Sequence, residues 1–243
     1  MAQVHLLIDG YFTAPRSTFL PGEPGKYIGV AKSLLILSEG EKILVDTGIG
    51  QIPDSDQYAE MKKSLAIRRT SKQGIKKQLA GVGIRPEQIT MVVNSHLHVA
   101  HAGNNRMFKN AKFYVSKREF RFIDQNRAQD PNQTAYISER FEGADYVELK
   151  GGKKLTEEVE VVETPGHTLG HQSVVIHNDS SNLIYSGDVS PLKLNLLRRY
   201  PMTGYDRNQI LESMDRLLAI RNAKWIFSHD NKQLTLRSAY KPK

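Results

Sequence analysis

Residues 95–104 read SHLHVAHAGN, and this stretch is the most informative one about the fold. It places His96, His98 and His101 within six positions of a chain that has eight histidines in 243 residues. Histidines at positions i, i+2 and i+5 cannot share one face of a helix, so a loop has to bring them to one point. The preceding residues 91–94 read MVVN, which predicts a short buried strand. We therefore expect a cluster of metal ligands that begins where this strand ends.

Three further candidate ligands also follow predicted strands. They are His167 in TPGH, Asp188 in SGD and His229 in FSHD. A strand end is rigid, and the loops that follow neighbouring strands can direct side chains toward one point. The chain has no cysteine, so a transition-metal site must use histidine, carboxylate and water. Imidazoles with an added carboxylate suit a hydrolytic metal such as zinc, cobalt or iron.

The remaining histidines are expected to have other roles. A single histidine is more often a hydrogen-bonded structural residue or a surface side chain than a metal ligand. His5 and His177 are assigned to that class. His171 lies one short turn after His167, where it can support a ligand without binding the metal itself.

Composition limits the class of protein. Hydrophobic residues make up 39% and charged residues 25% of the chain, which is typical of a soluble globular protein. No apolar run is long enough to cross a bilayer, and Asp9 interrupts the apolar start where a signal peptide needs a continuous stretch. We expect a cytoplasmic protein with no membrane contact. The net charge of +8 is spread over scattered basic pairs, so a lysine-rich solvated surface is favoured over a nucleic-acid site.

Strands and helices are predicted in mixed order. Apolar runs at 31–38 and 42–46 predict a hairpin, and Ser71 can cap a helix that carries Ile75 and Leu79 and stops at Gly81. The other predicted elements are strands at 112–116, 159–163, 172–176, 183–186 and 224–228 and a helix from about 206 to 220. This order fits a single domain over 1–243, with sheets in the middle and helices packed outside. The weakly periodic residues 117–146 are expected to form a helical lid over the site.

Five segments resemble the motifs of the metallo-β-lactamase superfamily. In family order they are LVDTG at 44–48, SHLHVAHAGN at 95–104, TPGHTLGHQS at 164–173, SGD at 186–188 and SHD at 228–230. They span about residues 30–230, which is nearly the whole chain. The GHTLGHQS segment, the final HD and the chain length most resemble the N-acyl-homoserine lactonases, which are quorum-quenching enzymes.

The resemblance implies an α/β (α+β) fold, a four-layer αβ/βα sandwich with two metal ions in a cleft at the sheet edges. Zinc is the expected metal, with iron, cobalt and manganese as alternatives. The implied ligands are His96, His98 and His167 for the first ion, His101 and His229 for the second, and Asp188 as the bridge between them. Asp46 is expected to orient a ligand histidine, or to act as a turn residue that closes the hairpin.

One position departs from the family motif. Where the family has an aspartate that ligates the second metal and helps to move protons, this chain has Ala100. His101, His229 and Asp188 remain, and three protein ligands are typical of catalytic zinc sites. We expect a second metal site that is weak or empty. Three interpretations stay open: an engineered low-activity substitution, a natural variant that works with one tightly bound metal, and a member that only binds.

The missing aspartate also leaves the proton donor open. Asp230, Tyr200 and Tyr205 are candidate acids, and water is a further source. Asp188, His101 and Asp230 are the predicted catalytic residues.

The expected activity is ring opening of lactones, with N-acyl-homoserine lactones as first substrates, by attack of a metal-bound hydroxide. Aromatic residues of the lid can line an acyl-chain pocket or simply pack onto the core; they are Phe120, Phe122, Tyr136 and Phe141. Alternatives are a thioesterase or phosphotriesterase of the same fold, or a nucleic-acid-processing metalloprotein. The expected partner is a small lactone, nucleic acid is not expected, and a homodimer is a further possibility to test.

Overall fold

The structure is a computed structural model that describes residues 1–52, 54, 56–126, 135–136 and 142–242. In chain order its elements are β1 (Gln3–Pro15), α1 (Arg16–Phe19), β2 (Lys26–Ser38), β3 (Glu41–Val45), α2 (Ala59–Ser64), β4 (Ala66–Arg68), α3 (Ile75–Gly81), β5 (Met91–Val93), α4 (Val99–Ala102), β6 (Lys112–Ser116), α5 (Lys117–Asn126), β7 (Asp145–Leu149), β8 (Lys153–Lys154), β9 (Val159–Glu163), β10 (Gln172–Ile176), β11 (Asn182–Tyr185), α6 (Lys193–Arg198), α7 (Arg207–Leu218) and β12 (Ala223–Ile226).

The strands form two sheets. The first sheet has the order β4-β1-β2-β3-β5-β6-β7, and the second has the order β12-β11-β10-β9-β8. Strands β3, β5, β6 and β7 run parallel to one another, whereas β1 and β2 pair with each other and with their neighbours antiparallel. In the second sheet β9 and β11 both pair antiparallel with β10, and β12 runs parallel to β11.

The core has three layers of apolar contact. Successive residues of a strand point to opposite faces of the sheet. Leu34 of β2 accordingly packs against the second sheet, while its neighbour Leu35 packs toward α3 and α5 on the outer face. Helix α7 covers the outer face of the second sheet, where Met214 packs near Trp225. The molecule therefore has the α/β architecture of a four-layer αβ/βα sandwich, as the sequence predicted.

Several predicted elements match the structure closely. The hairpin of β2 and β3 forms, and the predicted bounds of β6, β9 and β10 coincide with those in the structure. Helix α7 begins after Asp206, whose side chain accepts hydrogen bonds from the backbone N–H groups of Asn208 and Gln209.

The predicted cap of α3 is wrong. This helix begins at Ile75, after Gly74 with a φ of 100°, and no side chain of the preceding turn caps it. Instead the Ile75 N–H donates to the Asp9 carboxylate at 2.7 Å. Asp9 belongs to β1, so the acceptor comes from a distant part of the chain and Ser71 is not needed.

The predicted lid is partly described. Residues 117–126 form helix α5, whereas Asp145 and Tyr146 belong to β7 and pair with β6. The predicted insertion therefore ends before Asp145. Phe141 lies outside the described residues. Among the residues described, no helix is long and apolar enough to cross a membrane.

Candidate metal centre

The two sheets direct the candidate ligands to a common edge. In the first sheet, β3 and β5 are parallel, and Asp46 and the histidine cluster that starts at His96 follow their carboxyl ends. In the second sheet β9, β11 and β12 share one direction, and His167, Asp188 and His229 follow them. Parallel strands place their carboxyl ends at one edge of a sheet, so these loops meet. The structure thus brings together all six predicted ligands.

A first group of nitrogens comes from three histidines. His98 Nδ1 lies 3.0 Å from His96 Nε2 and 3.1 Å from His167 Nε2. The Oδ2 atom of Asp188 lies 3.5 Å from His167 Nε2 and 3.9 Å from His96 Nε2. All four side chains are buried. We call these three histidines the first cluster.

A second group lies on the other side of the same carboxylate. His101 Nε2 and His229 Nε2 are 3.1 Å apart, and Asp188 Oδ1 lies 3.3 Å from the first and 3.2 Å from the second. We call His101 and His229 the second cluster. Each Asp188 oxygen therefore faces one cluster, which is the arrangement a bridging carboxylate requires.

The donor set fits two metal ions. Nitrogen ligands about 2.0–2.1 Å from one tetrahedral zinc ion lie roughly 3.3–3.4 Å from each other. The separations within the two clusters come close to this value. Burial, and then repulsion from the neighbouring imidazoles, lowers the pKa of His96 well below 6.5, so this imidazole is neutral and available as a ligand. Imidazole nitrogens with one carboxylate could hold zinc or a similar hydrolytic ion.

Hydrogen bonds to the outer nitrogens orient the ligands. His229 Nδ1 donates to the Val30 carbonyl at 3.0 Å, and His167 Nδ1 donates to the Thr203 carbonyl at 3.1 Å. A backbone carbonyl can only accept, so each ring carries its proton on Nδ1 and turns the Nε2 lone pair toward the centre.

Asp46 contacts the outer ring nitrogen of His101, a member of the second cluster. Its Oδ2 atom lies 2.6 Å from His101 Nδ1 and also accepts hydrogen bonds from Ser95 Oγ and the Tyr185 hydroxyl. Burial lowers the pKa of His101, but the carboxylates of Asp188 and Asp46 outweigh burial and raise that pKa to about 10. Asp46 can keep the proton at His101 Nδ1, which leaves Nε2 as the atom that would lose its proton to hold a metal ion. Both expectations for Asp46, a ligand-orienting carboxylate and a residue at the end of the hairpin, describe its position.

The bridging position of Asp188 is also supported from outside. Ser228 Oγ donates to Asp188 Oδ1 at 2.6 Å. The backbone N–H of Asp188 donates to His171 Nε2 at 2.9 Å. Burial lowers the pKa of His171 to about 3, so its ring is neutral and Nε2 can accept. His171 therefore supports a ligand and is not itself a member of either cluster.

A small cavity of about 110 Å³ opens onto both clusters. Ala100 forms part of its wall, next to His101 and Asp188. The rest of the wall is largely apolar and includes Phe12, Ala14, Phe19, Leu65, Val99, Ala135 and Met202. None of the described residues that line this cavity is a lysine or an arginine.

The three candidate proton donors have other contacts. The Asp230 carboxylate accepts hydrogen bonds from the backbone N–H groups of Lys193 and Lys232 and lines a different cavity. The Tyr200 hydroxyl donates to the Pro21 carbonyl. The Tyr205 ring packs against Phe122, with ring centroids 4.9 Å apart. None of the three candidates is among the described residues of the cavity wall.

The described aromatic side chains of the predicted lid lie partly in the core and partly near the metal ligands. Phe120 and Phe122 are buried, and Phe120 packs against Tyr146 at 5.1 Å, so these two side chains attach the helix to the core. Tyr136 is the described lid aromatic nearest the metal ligands, since its ring lies 4.5 Å from that of His98.

Two buried charged residues near the ligand loops were not predicted. Lys32 Nζ donates to the carbonyls of Phe227 and Asp230, which flank the His229 position. A lysine inside the apolar run of β2 is unusual, and this sequence feature could have indicated a buried charged residue. Glu119 accepts hydrogen bonds from the two loops that carry the first cluster. It lies in an ordinary charged helix, and its sequence context gives no signal.

The sequence matches the family model of the metallo-beta-lactamase superfamily over residues 28–229. The chain therefore belongs to the metallo-β-lactamase superfamily and is a hydrolase of that fold.

Its relatives include N-acyl homoserine lactonases. It is 32% identical over 229 residues to an N-acyl homoserine lactonase of a Bacillus species, which covers 89% of this chain and 87% of the relative. It is 36% identical over 146 residues to a probable metallo-hydrolase of Methanocaldococcus jannaschii, which covers 60% of this chain and 59% of the relative. A solved N-acyl homoserine lactone hydrolase, with N-hexanoyl-L-homoserine at its catalytic metal centre, superposes with a TM-score of 0.80 at 24% identity over 95% of this chain and 94% of its own. This last similarity shows the shared fold.

Proposed function

We propose that the protein hydrolyses lactones, with N-acyl-homoserine lactones as the first class to test. The observation that carries this proposal is the cavity wall: two ligand clusters face a space lined by apolar side chains, with no described lysine or arginine in it. Such a wall suits a neutral ester with an aliphatic substituent, because burying an unpaired anion against it is costly. The similarity to lactonases over most of the chain supports the same substrate class.

We further propose that zinc occupies both clusters, with the second ion bound more weakly. Two bound ions supply a Lewis acid for the carbonyl oxygen and an activated water for attack on the carbonyl carbon. Asp188 holds both positions with its two oxygens, and Ser228 fixes the orientation of that carboxylate. Asp46 retains the proton on His101 Nδ1, which keeps the Nε2 atom directed at the second position.

In this reaction one water oxygen bonds to the carbonyl carbon, the ring C–O bond breaks, and the products are a carboxylate and an alcohol. The attacking water gives up both of its protons: one balances the proton that the alcohol oxygen must gain, and the other is released to solvent. Asp188 is the one carboxyl group among the described lining residues. Burial raises its pKa, but the imidazoles of His229 and His101 outweigh burial and hold that pKa well below its usual range, so Asp188 stays ionised. We therefore propose that the proton of the alcohol comes from solvent at the cavity mouth.

The volume of the cavity limits how much of a substrate it can enclose. Sites that bury a whole drug-sized ligand are typically about 300–1,000 Å³. About 110 Å³ suits only the reacting end of a substrate. We propose that the acyl chain extends beyond this cavity.

The experiment is a proton-release assay on the zinc-loaded protein with short- and long-chain lactones, because ring opening produces one proton. The matched control is His167→Ala, which removes a first-cluster ligand and should abolish turnover. The same assay is run on Ala100→Asp, because Ala100 alone could explain a slow reaction. If both the unmodified chain and Ala100→Asp bind zinc and leave every lactone intact, the proposal is wrong.

A neutral phosphotriester is the second candidate substrate, because it is also an uncharged ester and so suits the same apolar cavity wall. A glutathione-type thioester or a nucleic acid is disfavoured, because each carries anionic groups that the described wall does not pair. Turnover of phosphotriesters at a higher kcat/KM than lactones would favour this alternative.

A further inference from the structure

Glu119 lies deep in the molecule, in the first turn of helix α5. Its side chain is fully buried, and a carboxylate in such a place needs hydrogen-bond donors or a positive partner. The first turn of a helix favours a negative charge, which accounts for part of its stability. Three hydrogen-bond donors to this carboxylate come from outside the helix.

Both carboxylate oxygens receive hydrogen bonds from metal-ligand loops. The Leu97 N–H donates to Oε1 at 3.0 Å, while Thr168 Oγ1 and the Gly170 N–H donate to Oε2 at 2.6 and 3.2 Å. Leu97 lies between His96 and His98 in the sequence, and Thr168 directly follows His167. One carboxylate therefore joins the two loops that supply all three histidines of the first cluster.

Close packing supports the same connection. A Cβ atom at Gly170 would lie 2.1 Å from the backbone nitrogen of Glu119 and 2.4 Å from its Cα atom. Only glycine allows the loop after His167 to approach the backbone of α5 this closely. The helix and the loop are thus in direct backbone contact as well as hydrogen-bonded.

We propose that Glu119 is a positioning residue that sets the relative placement of the two first-cluster loops and so determines the metal affinity of that cluster. The inference rests on the proposed metal centre and is independent of the substrate. Glu119 acts through the loops, because it accepts hydrogen bonds from Leu97, Thr168 and Gly170, which adjoin the ligand histidines in the sequence.

Glu119→Gln tests this directly. An amide has one accepting oxygen, so its NH2 group must face either Leu97 N–H or the two donors of the other loop. At least one loop loses its acceptor while side-chain volume is kept. Residues that support metal ligands typically change metal affinity by about 10–100-fold when substituted.

The measurement is a Zn²⁺ titration in a His229→Ala background, which removes a second-cluster ligand so that the tight site reports the first cluster. We expect Glu119→Gln to bind Zn²⁺ about 10–100-fold more weakly than its parent. The matched control is Asp9→Asn in the same background. Asp9 is also a buried carboxylate, and its hydrogen-bond donors are the backbone N–H groups of Ile49 and Ile75 and the Arg69 guanidinium, which lie outside the first-cluster loops.

Unchanged Zn²⁺ affinity in Glu119→Gln, or equal weakening by Asp9→Asn, would overturn the proposal. If Glu119→Gln does not fold, Glu119→Asp replaces it, because the shorter acid keeps the charge and cannot reach both loops. Zinc binding is measured without a substrate. If Glu119→Gln shows the expected affinity loss while the zinc-loaded unmodified chain and Ala100→Asp open no lactone, the proposed function is wrong and the role of Glu119 stands.

Discussion

Ala100 lies in helix α4 on the wall of the small cavity, beside His101 and within the loop that also carries His98. Its methyl group offers neither a metal ligand nor a proton. The position nevertheless faces the space where an acid would be useful, because Asp188 and His229 line the same cavity. The consequences of this one side chain can be measured separately for metal binding and for turnover.

Ala100→Asp is expected to increase both zinc occupancy and turnover. The added carboxylate gives the second cluster a fourth protein ligand, so zinc per chain should approach two at lower free zinc. A positioned acid typically contributes about 10²–10⁴-fold to a rate, and we expect a rise in kcat near the lower end of this range. Elemental analysis and the proton-release assay measure the two effects. Ala100→Ser is the control for a small polar side chain, and an Asp variant no better than this control contradicts the prediction.

Lys32 is expected to make stability depend on pH. Burial lowers the pKa of its Nζ to about 7 from 10.5. Between these two values the unfolded chain keeps a proton that the folded chain has released, so the free energy of unfolding rises with pH. One such group contributes at most about 1.4 kcal/mol per pH unit.

Urea unfolding of Lys32→Met at pH 7, 8 and 9 measures this contribution. The variant should show a shallower rise of unfolding free energy with pH than the unmodified chain. Lys26→Met, at the exposed start of the same strand, should keep the original slope. Parallel pH profiles for Lys32→Met and the unmodified chain would show that Nζ is not the titrating group.

At the scale of elements, α7 shows how a local signal produces a predictable helix. Asp206 precedes it and accepts the N–H groups of Asn208 at 2.9 Å and Gln209 at 3.0 Å. An acceptor at this position satisfies donors that have no partner inside the helix. Ile210, four residues after Asp206, faces the core under the second sheet.

Asp206→Ala is expected to lower the free energy of unfolding by about 1 kcal/mol, because the first turn of α7 loses its side-chain acceptor. Asp206→Asn should cost much less, since an amide oxygen can accept the same bonds. Urea or thermal unfolding of the three proteins measures the difference. Equal losses for both variants would mean that the charge of Asp206, and not its capping bonds, matters.

Elements whose signals are local were predictable, and those set by distant partners were not. β6, β9 and β10 are short apolar runs between polar turns, so their bounds could be read directly. β1 contains His5 and Asp9 and has no clean alternation, and its strand conformation depends on pairing with β2. The cap of α3 could not be predicted because Asp9 supplies it from 66 residues away.

The same distinction applies to the site. The ligand histidines were found because they follow strand ends and cluster in the sequence. Their orientation depends on backbone carbonyls at Val30 and Thr203, and a backbone carbonyl has no sequence signature. Glu119 was missed because its role arises only when α5 packs against loops from both sheets.

At the scale of the whole molecule, the metal centre lies between the two halves of the sandwich. His96, His98 and His101 come from the first sheet, and His167 and His229 come from the second. Each cluster therefore contains ligands from both sheets. A bound ion connects the halves where the apolar core between the sheets ends.

Removal of metal is expected to lower the stability of the whole chain. An ion that binds only the folded state adds about 2.7 kcal/mol at a free concentration 100 times its dissociation constant. Thermal unfolding with and without a chelator should show a loss of at least this order. His229→Ala should lose less on chelation, because only the first cluster is left to bind tightly. Identical melting temperatures with and without chelator in the unmodified protein would contradict a structural contribution of the ions.

The division of the ligands between the two sheets also has a kinetic consequence. His96 and His167 of the first cluster are far apart in the sequence, as are His101 and His229 of the second, so neither cluster can be complete until both sheets have formed and docked. Interactions that appear after the transition state change the unfolding rate and leave the folding rate nearly constant. We therefore expect zinc to slow unfolding and to leave the refolding rate nearly unchanged. The folded protein should unfold much more slowly once an ion is bound between the two halves of the sandwich.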